Sequence, residues 1–209
     1  MSKLLFYSID DEYIDFLQRH DEKVMPNKQS RPYLGPVMVI NGARWFVPGT
    51  APKEKHFDEE GNLKSGGIAF FNLFNSRGKR EFLGRLRFPK MIPVPEGLER
   101  KLRTGQCTHT QEYVDKHRAK IIEQAKQYFE IAIATRAKGF NLDYCSDAVD
   151  FVALEAHMRL YEEQQQQQQE QEPRTIRTID ELPPRMARML EEYKGKSHLK
   201  SSDQGKDKV

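Results

Sequence analysis

The chain has 209 residues, a formal net charge of +3, 37% hydrophobic residues and 31% charged residues. This length suits one domain with a tail and is tight for two. The low apolar fraction points either to a domain with a large polar face or to a globular part diluted by a disordered one. No apolar run approaches the roughly 20 residues of a membrane span, and the N-terminus turns acidic by Asp10, unlike a signal peptide. Cys107 and Cys145 form neither a disulfide framework nor a metal-ligand spacing, which suits a reducing cytoplasm.

The small total hides opposed segments. Residues 1–22 carry net −4, residues 23–103 net +9, residues 104–162 net −2, and residues 163–209 net zero. A basic block of this kind is either the footprint of a phosphate-backbone binder or a solvated lysine-rich surface.

In chain order, Lys3 to Tyr7 reads as a strand. Asp10-Asp11-Glu12 opens a helix whose apolar face is Tyr13, Ile14, Phe16 and Leu17. Leu34–Ile40, Asn41-Gly42 and Ala43–Val47 form a hairpin signal, because both turn residues tolerate positive φ. Pro48 to Pro52 is expected to end the second strand, and a charged loop follows from Lys53 to Lys64. Ile68–Leu73 and Glu81–Phe88 read as strands around a turn at Asn75 to Gly78, and Met91 to Pro95 as an extended border of the sheet. Thr110 to about Lys138 has helical periodicity, ended by Gly139. Ser146 is expected to cap another helix with Val149, Val152, Ala153, Ala156 and Leu160 inward. Gln164 to Gln169 extends that helix or begins a disordered linker. A short helix from Asp180 is weakened by Pro183-Pro184, and residues 195–209 read as disordered. The expected domains are residues 1–162, and a tail at 163–209.

Phosphate-cradling glycine loops, dinucleotide fingerprints and paired metal-binding histidines are absent. Acids in the basic block are few and not obviously paired, which disfavours a two-metal nuclease. What remains is Thr50-Ala51-Pro52-Lys53-Glu54-Lys55-His56, directly after a strand. Lysines there can neutralise a phosphate, and a hydroxyl and loop N–H groups can hold its oxygen. RNA brings its own nucleophile in the 2′-OH, so positioning and charge stabilisation suffice for cleavage. An ordinary hairpin-exit loop is the alternative reading, and His56 alone could be a plain loop histidine.

Three stretches carry a resemblance: Arg31-Pro32-Tyr33-Leu34-Gly35-Pro36-Val37 through Trp45-Phe46-Val47-Pro48-Gly49-Thr50-Ala51-Pro52-Lys53-Glu54-Lys55-His56, then Leu83 to Pro95, then the long helix followed by Cys145 and Phe151 to Glu155. In this order, with the N-terminal strand and helix, they resemble the ToxN/AbiQ endoribonucleases of type III toxin–antitoxin systems and their CptN and TenpN relatives, over about residues 3–162. The resemblance implies an α+β fold: a compact, bent antiparallel sheet like the MazF toxin barrel, surrounded by helices. It implies a cytoplasmic RNase without metal or cofactor, which cuts RNA to a 2′,3′-cyclic phosphate and a 5′-OH. The implied partners are a small repeat RNA antitoxin, in closed or chain-like toxin–RNA assemblies, and cellular or phage RNA substrates, with no membrane.

The family's Thr-Ser-Pro-Lys loop falls on Thr50, Ala51, Pro52 and Lys53. Lys53 then matches the essential lysine, Thr50 the phosphate-holding threonine, and Arg31 a second basic residue. Ala51 replaces the family's serine, either naturally in a divergent branch, with another group supplying the bond, or as an introduced substitution. An RNA-binding module without catalysis is therefore the alternative function, and an adaptor using the glutamine run a more distant one. Lys28, Tyr33, Lys55, His56, Arg85, Arg87 and Lys90 are the expected RNA-binding residues, Lys28 standing where the family carries a nearby aromatic. Tyr33, Trp45 and Phe57 are candidates for base stacking, and each could equally be a core residue.

Overall fold

The computed structural model describes residues 3–27, 31–75, 81–102, 108–140, 142–171 and 185. Lys28, Cys107, the turn after Asn75, the segment from Asp180 and the last fifteen residues lie outside the described set, Arg185 apart. The chain divides into two compact units, residues 1–165 and 166–209, and the core described below belongs to the first.

Strand β1 (Leu5–Ile9) leads into helix α1 (Asp11–His20). The Asp10 carboxylate caps α1 by accepting from the Tyr13 N–H at 3.2 Å. Strands β2 (Tyr33–Ile40) and β3 (Ala43–Thr50) form the expected hairpin, with Asn41 at φ 50° and Gly42 at φ 82°. Strands β4 (Phe70–Phe74), β5 (Phe82–Arg87), β6 (Ile92–Pro93) and β7 (Glu99–Lys101) follow. Helix α2 spans Thr108–Ala137 and helix α3 spans Phe151–Gln171.

All pairings are antiparallel, in the order β4-β5-β3-β2-β1-β7, with β6 added to β3. β3 is the hinge of this sheet. One edge pairs with β2; the other pairs first with β6 at Trp45–Phe46 and then with β5 at Gly49–Thr50. This is the antiparallel sheet with helices that the sequence implies; among the described residues β4 and β7 do not pair, so the sheet is open.

The core lies between this sheet and the helices. Trp45 is fully buried, and its ring meets Phe129 at 4.9 Å and Phe151 at 5.5 Å, joining β3 to both long helices. Tyr13 buries its ring, and its hydroxyl donates to the Pro93 carbonyl at 2.7 Å. Gly35 is required on β2, because a Cβ there would lie 2.4 Å from the Phe46 ring. Of the side its periodicity predicts, α2 buries Val114, Ile121, Ala125, Tyr128 and Ala132, while Tyr113 is half-buried. It ends in a Schellman motif: Gly139 (φ 68°) donates to the Arg136 carbonyl and Phe140 to the Thr135 carbonyl, both at 3.0 Å.

Three expectations change. β3 does not stop at Pro48 but continues to Thr50, because Pro48 still pairs with Tyr33 and Gly49 donates to the Pro32 carbonyl at 2.8 Å. α3 is capped by Asp150, not Ser146: its carboxylate accepts from the Ala153 N–H at 3.1 Å. The buried face of α3 is accordingly Phe151, Leu154, Met158 and Tyr161, while Val152 is 61% and Leu160 40% exposed. β7 has no sequence signal; its three residues, Glu99-Arg100-Lys101, are all charged. The glutamine run lies within α3.

Candidate active site

β3 delivers Thr50 to the end of the sheet, where Thr50 pairs with Arg85 of β5, and Arg85 pairs with Asn72 of β4. Directly opposed residues of antiparallel strands share a face, so Thr50, Arg85 and Asn72 form one row. The Thr50 hydroxyl donates to the Arg85 carbonyl at 3.3 Å. Close approach of the two strands depends on Gly84, at φ 130°.

Beyond Thr50 the chain turns outward. Ala51 to Lys55 are all exposed, and His56 is buried at 6% exposure. A short 3₁₀ turn, Glu54–His56, closes the loop. The His56 N–H donates to the Lys53 carbonyl at 2.9 Å, and the Lys53 N–H donates to Nδ1 of His56 at 3.2 Å. The Lys53 side chain is thus free in solvent on a backbone held at both its polar groups. Burial, then Arg85, Lys55, Lys53 and Arg87, push the His56 imidazole down to about 4, so it is neutral at pH 7.

Arg31 stands beside this loop. Its Nη1 donates to the Gly49 carbonyl at 3.2 Å and its Nε to the Pro26 carbonyl at 3.3 Å. Burial lowers its pKa, Tyr33 offsets part of that, and Arg87 adds a smaller lowering effect. Arg85 is 6% exposed, and its Nε and Nη2 are buried without a hydrogen-bond partner among the described residues. Its guanidinium carbon lies 5.4 Å from the Phe70 ring and 5.8 Å from the Phe82 ring, so aromatic faces replace a counter-ion. Arg87 and Lys90 share one carboxylate, Asp147, at 2.6 and 2.7 Å.

The sheet therefore gathers Arg31, Thr50, Ala51, Lys53, Lys55, His56, Arg85 and Arg87 at the adjoining ends of β2, β3 and β5. Other expected residues lie elsewhere. Tyr33 is 1% exposed and Trp45 fully buried, so neither ring is open to a base. Lys90 is buried against Asp147 rather than presented to a phosphate. Phe57 is half-buried, edge-on to Phe82 at 5.7 Å. Sequence reasoning missed Phe70, Phe82, Asn72, Asp147 and the brace at Asn27. The Asn27 carbonyl oxygen accepts from the Arg31 N–H at 3.1 Å, while its amide donates to Ile9 and Asp11. No sequence motif marks these partners; alternation along β4 and β5 could have placed Phe70 and Asn72 on the face of Arg85.

A model of the family described as toxin ToxN of type III toxin–antitoxin systems matches residues 5–159. The chain belongs to this family. It is 42% identical over 94 residues to the endoribonuclease ToxN of Bacillus thuringiensis subsp. kurstaki, covering 44% of this chain and 43% of that protein. It is 31% identical over 111 residues to the endoribonuclease ToxN of Pectobacterium atrosepticum, covering 50% and 62% respectively. The match therefore spans less than two thirds of either relative. The endoribonuclease AbiQ of Lactococcus lactis subsp. lactis is 25% identical over 169 residues, which is 77% of this chain and 91% of that protein.

Two solved structures share the fold. One, from work on selective toxin inhibition by a non-coding RNA pseudoknot, superposes with a TM-score of 0.63 at 26% identity, over 78% of this chain and 99% of that one. The other, AbiQ, described as a lactococcal anti-phage endoribonuclease, gives 0.66 at 23% identity over the same shares.

Proposed function

We propose that this chain is an endoribonuclease toxin of a type III toxin–antitoxin system, with residues 1–162 as its catalytic domain. The observation that carries the reading is Lys53: its side chain is open to solvent, its backbone is fixed, and it follows Thr50 in a basic setting within the matched family region. The 2′-oxygen of RNA attacks the adjacent phosphorus, the bond to the 5′-oxygen breaks, and a 2′,3′-cyclic phosphate and a 5′-OH result. The nucleophile's proton leaves to water. Lys53 neutralises charge on the pentavalent phosphate or protonates the departing oxygen. Arg31 and Lys55 add positive potential for the RNA backbone.

Because the nucleophile comes from the substrate, this chemistry runs on the chain's own residues, without metal or cofactor. Ala51 removes one hydroxyl from the loop but leaves Lys53, Thr50 and the surrounding cations in place, which favours an enzyme over a module that only binds. The proposed partner is a small repeat RNA antitoxin that covers the same basic site, in a toxin–RNA assembly. Cellular or phage RNA is the substrate, and abortive infection the setting. No helix among the described residues is long and apolar enough to cross a membrane, and we place the toxin in the cytoplasm.

Inducing the chain in a bacterial host tests this reading. Wild type should arrest growth and fragment RNA, and Lys53→Ala should do neither at equal protein level. Equal arrest by both, or by neither when both are folded, counts against it.

A further inference from the structure

The exposed run Ala51 to Lys55 reaches the body of the protein at His56. A lysine on such a run has considerable side-chain rotamer freedom to lose, so its action depends on a fixed starting point for its stem. We propose that His56 is the positioning residue of this loop, its imidazole Nδ1 receiving the Lys53 amide hydrogen and so fixing where the Lys53 ammonium stands. The inference rests on the reading of Lys53 as the reacting lysine.

The geometry is specific. Both backbone polar groups of Lys53 end on His56, and the His56 carbonyl in turn accepts from the Lys64 N–H at 2.9 Å. The loop is thereby tied to its far end through one residue. The imidazole stands edge-on to Phe82 at 5.8 Å, and Phe82 lies between Phe57 and Phe74, at 5.7 and 6.0 Å. Neutral histidine accepts at one nitrogen only, and imidazolium accepts at neither. Protonation would set two N–H groups against each other and release Lys53. The charged groups that face the ring are Arg85 and Arg87 from β5 and Lys53 and Lys55 from its own loop, all cationic. They hold the ring in its accepting form.

Two substitutions separate the hydrogen bond from the packing. In His56→Asn the side-chain oxygen stands two bonds from Cβ, as Nδ1 does, so the acceptor stays while the ring is lost. In His56→Phe the ring stays and the acceptor is lost. Single-turnover cleavage of RNA should be recovered to within about threefold of wild type in His56→Asn. It should fall by about 30-fold or more in His56→Phe, with KM little changed, as expected for a misplaced catalytic group. The acid limb of the wild-type pH–rate profile that belongs to His56 should vanish in His56→Asn.

Amide exchange at Lys53 gives a readout independent of cleavage. The Lys53 N–H should be protected in wild type and in His56→Asn, and exchange freely in His56→Phe. Equal protection in all three, or an Asn variant as impaired as the Phe variant, overturns the proposal. A folded wild type that shows the exchange pattern but does not cut RNA overturns the nuclease reading and leaves the loop anchor standing.

Discussion

A Cβ on Gly84 would lie 2.1 Å from the Thr50 carbonyl oxygen. That contact sets how closely β5 approaches the end of β3, and therefore where the loop after Thr50 begins. Gly84 also sits at φ 130°, a conformation that L side chains rarely adopt. Gly84→Ala should therefore cost about 2–4 kcal/mol of stability, from backbone strain and from overpacking together. Gly42→Ala, at φ 82° with nothing within 4 Å of the added carbon, carries the strain alone and should cost less. Denaturant unfolding of the two variants measures the difference, and equal losses would argue against the close approach.

Asp147 should matter more than either base it serves. Lys90 is 5% exposed and finds its counter-ion at 2.7 Å, on a carboxylate that also receives Arg87. Burial lowers the Lys90 pKa, and the hydrogen bond to Asp147 offsets part of that. Asp147→Ala leaves a buried ammonium uncompensated and should destabilise by about 1–3 kcal/mol, discounted because Asp147 itself is half exposed. Lys90→Met removes the charge with the stem retained and should cost less. Urea midpoints of the two variants check the order.

The His56 imidazole makes the fold acid-sensitive. Its pKa is about 4 in the folded chain against 6.5 for a free histidine. Below pH 6.5 the unfolded chain takes up a proton that the folded site refuses, so stability falls from there to about pH 4 and then levels for this group. Melting temperatures at pH 7 and pH 5 should differ more in wild type than in His56→Asn. An identical drop in both would remove His56 from the account.

If the basic cluster around Lys53 meets RNA phosphates, binding should weaken with salt. Each cation that touches a phosphate contributes about 0.7 to the slope of log affinity against log salt for single strands. Arg31→Ala and Lys55→Ala should each reduce that slope, measured on a Lys53→Ala background so that the RNA stays intact. Lys90→Met should leave it unchanged, since Lys90 is buried against Asp147.

Much of the fold was legible because local signals agreed with tertiary pairing. The Asn41-Gly42 turn, the stripe of α2 and the Gly139 stop each follow from one residue type in one required conformation. The α3 face was misjudged because its phase depends on which residue caps it, and Asp150 rather than Ser146 does so. β7 was invisible because a short charged strand forms only where β1 offers an edge. At the candidate site, the loop carrying Thr50 and Lys53 stands out by its own residues, and the structure places it at the end of β3. The state of the basic residues was not legible: Arg85 is buried among Phe70 and Phe82 and Lys90 against Asp147, and no local pattern distinguishes a buried cation from an exposed one. The modest net charge likewise concealed a cluster assembled by β2, β3 and β5 around one lysine.

The most direct test of the central claim is end-group analysis of RNA incubated with the purified full chain in EDTA. The account predicts cleavage with 2′,3′-cyclic phosphate and 5′-OH ends, absent with a folded Lys53→Ala variant. Products bearing a 5′-phosphate, cleavage that requires added metal, or equal cleavage by Lys53→Ala would contradict it.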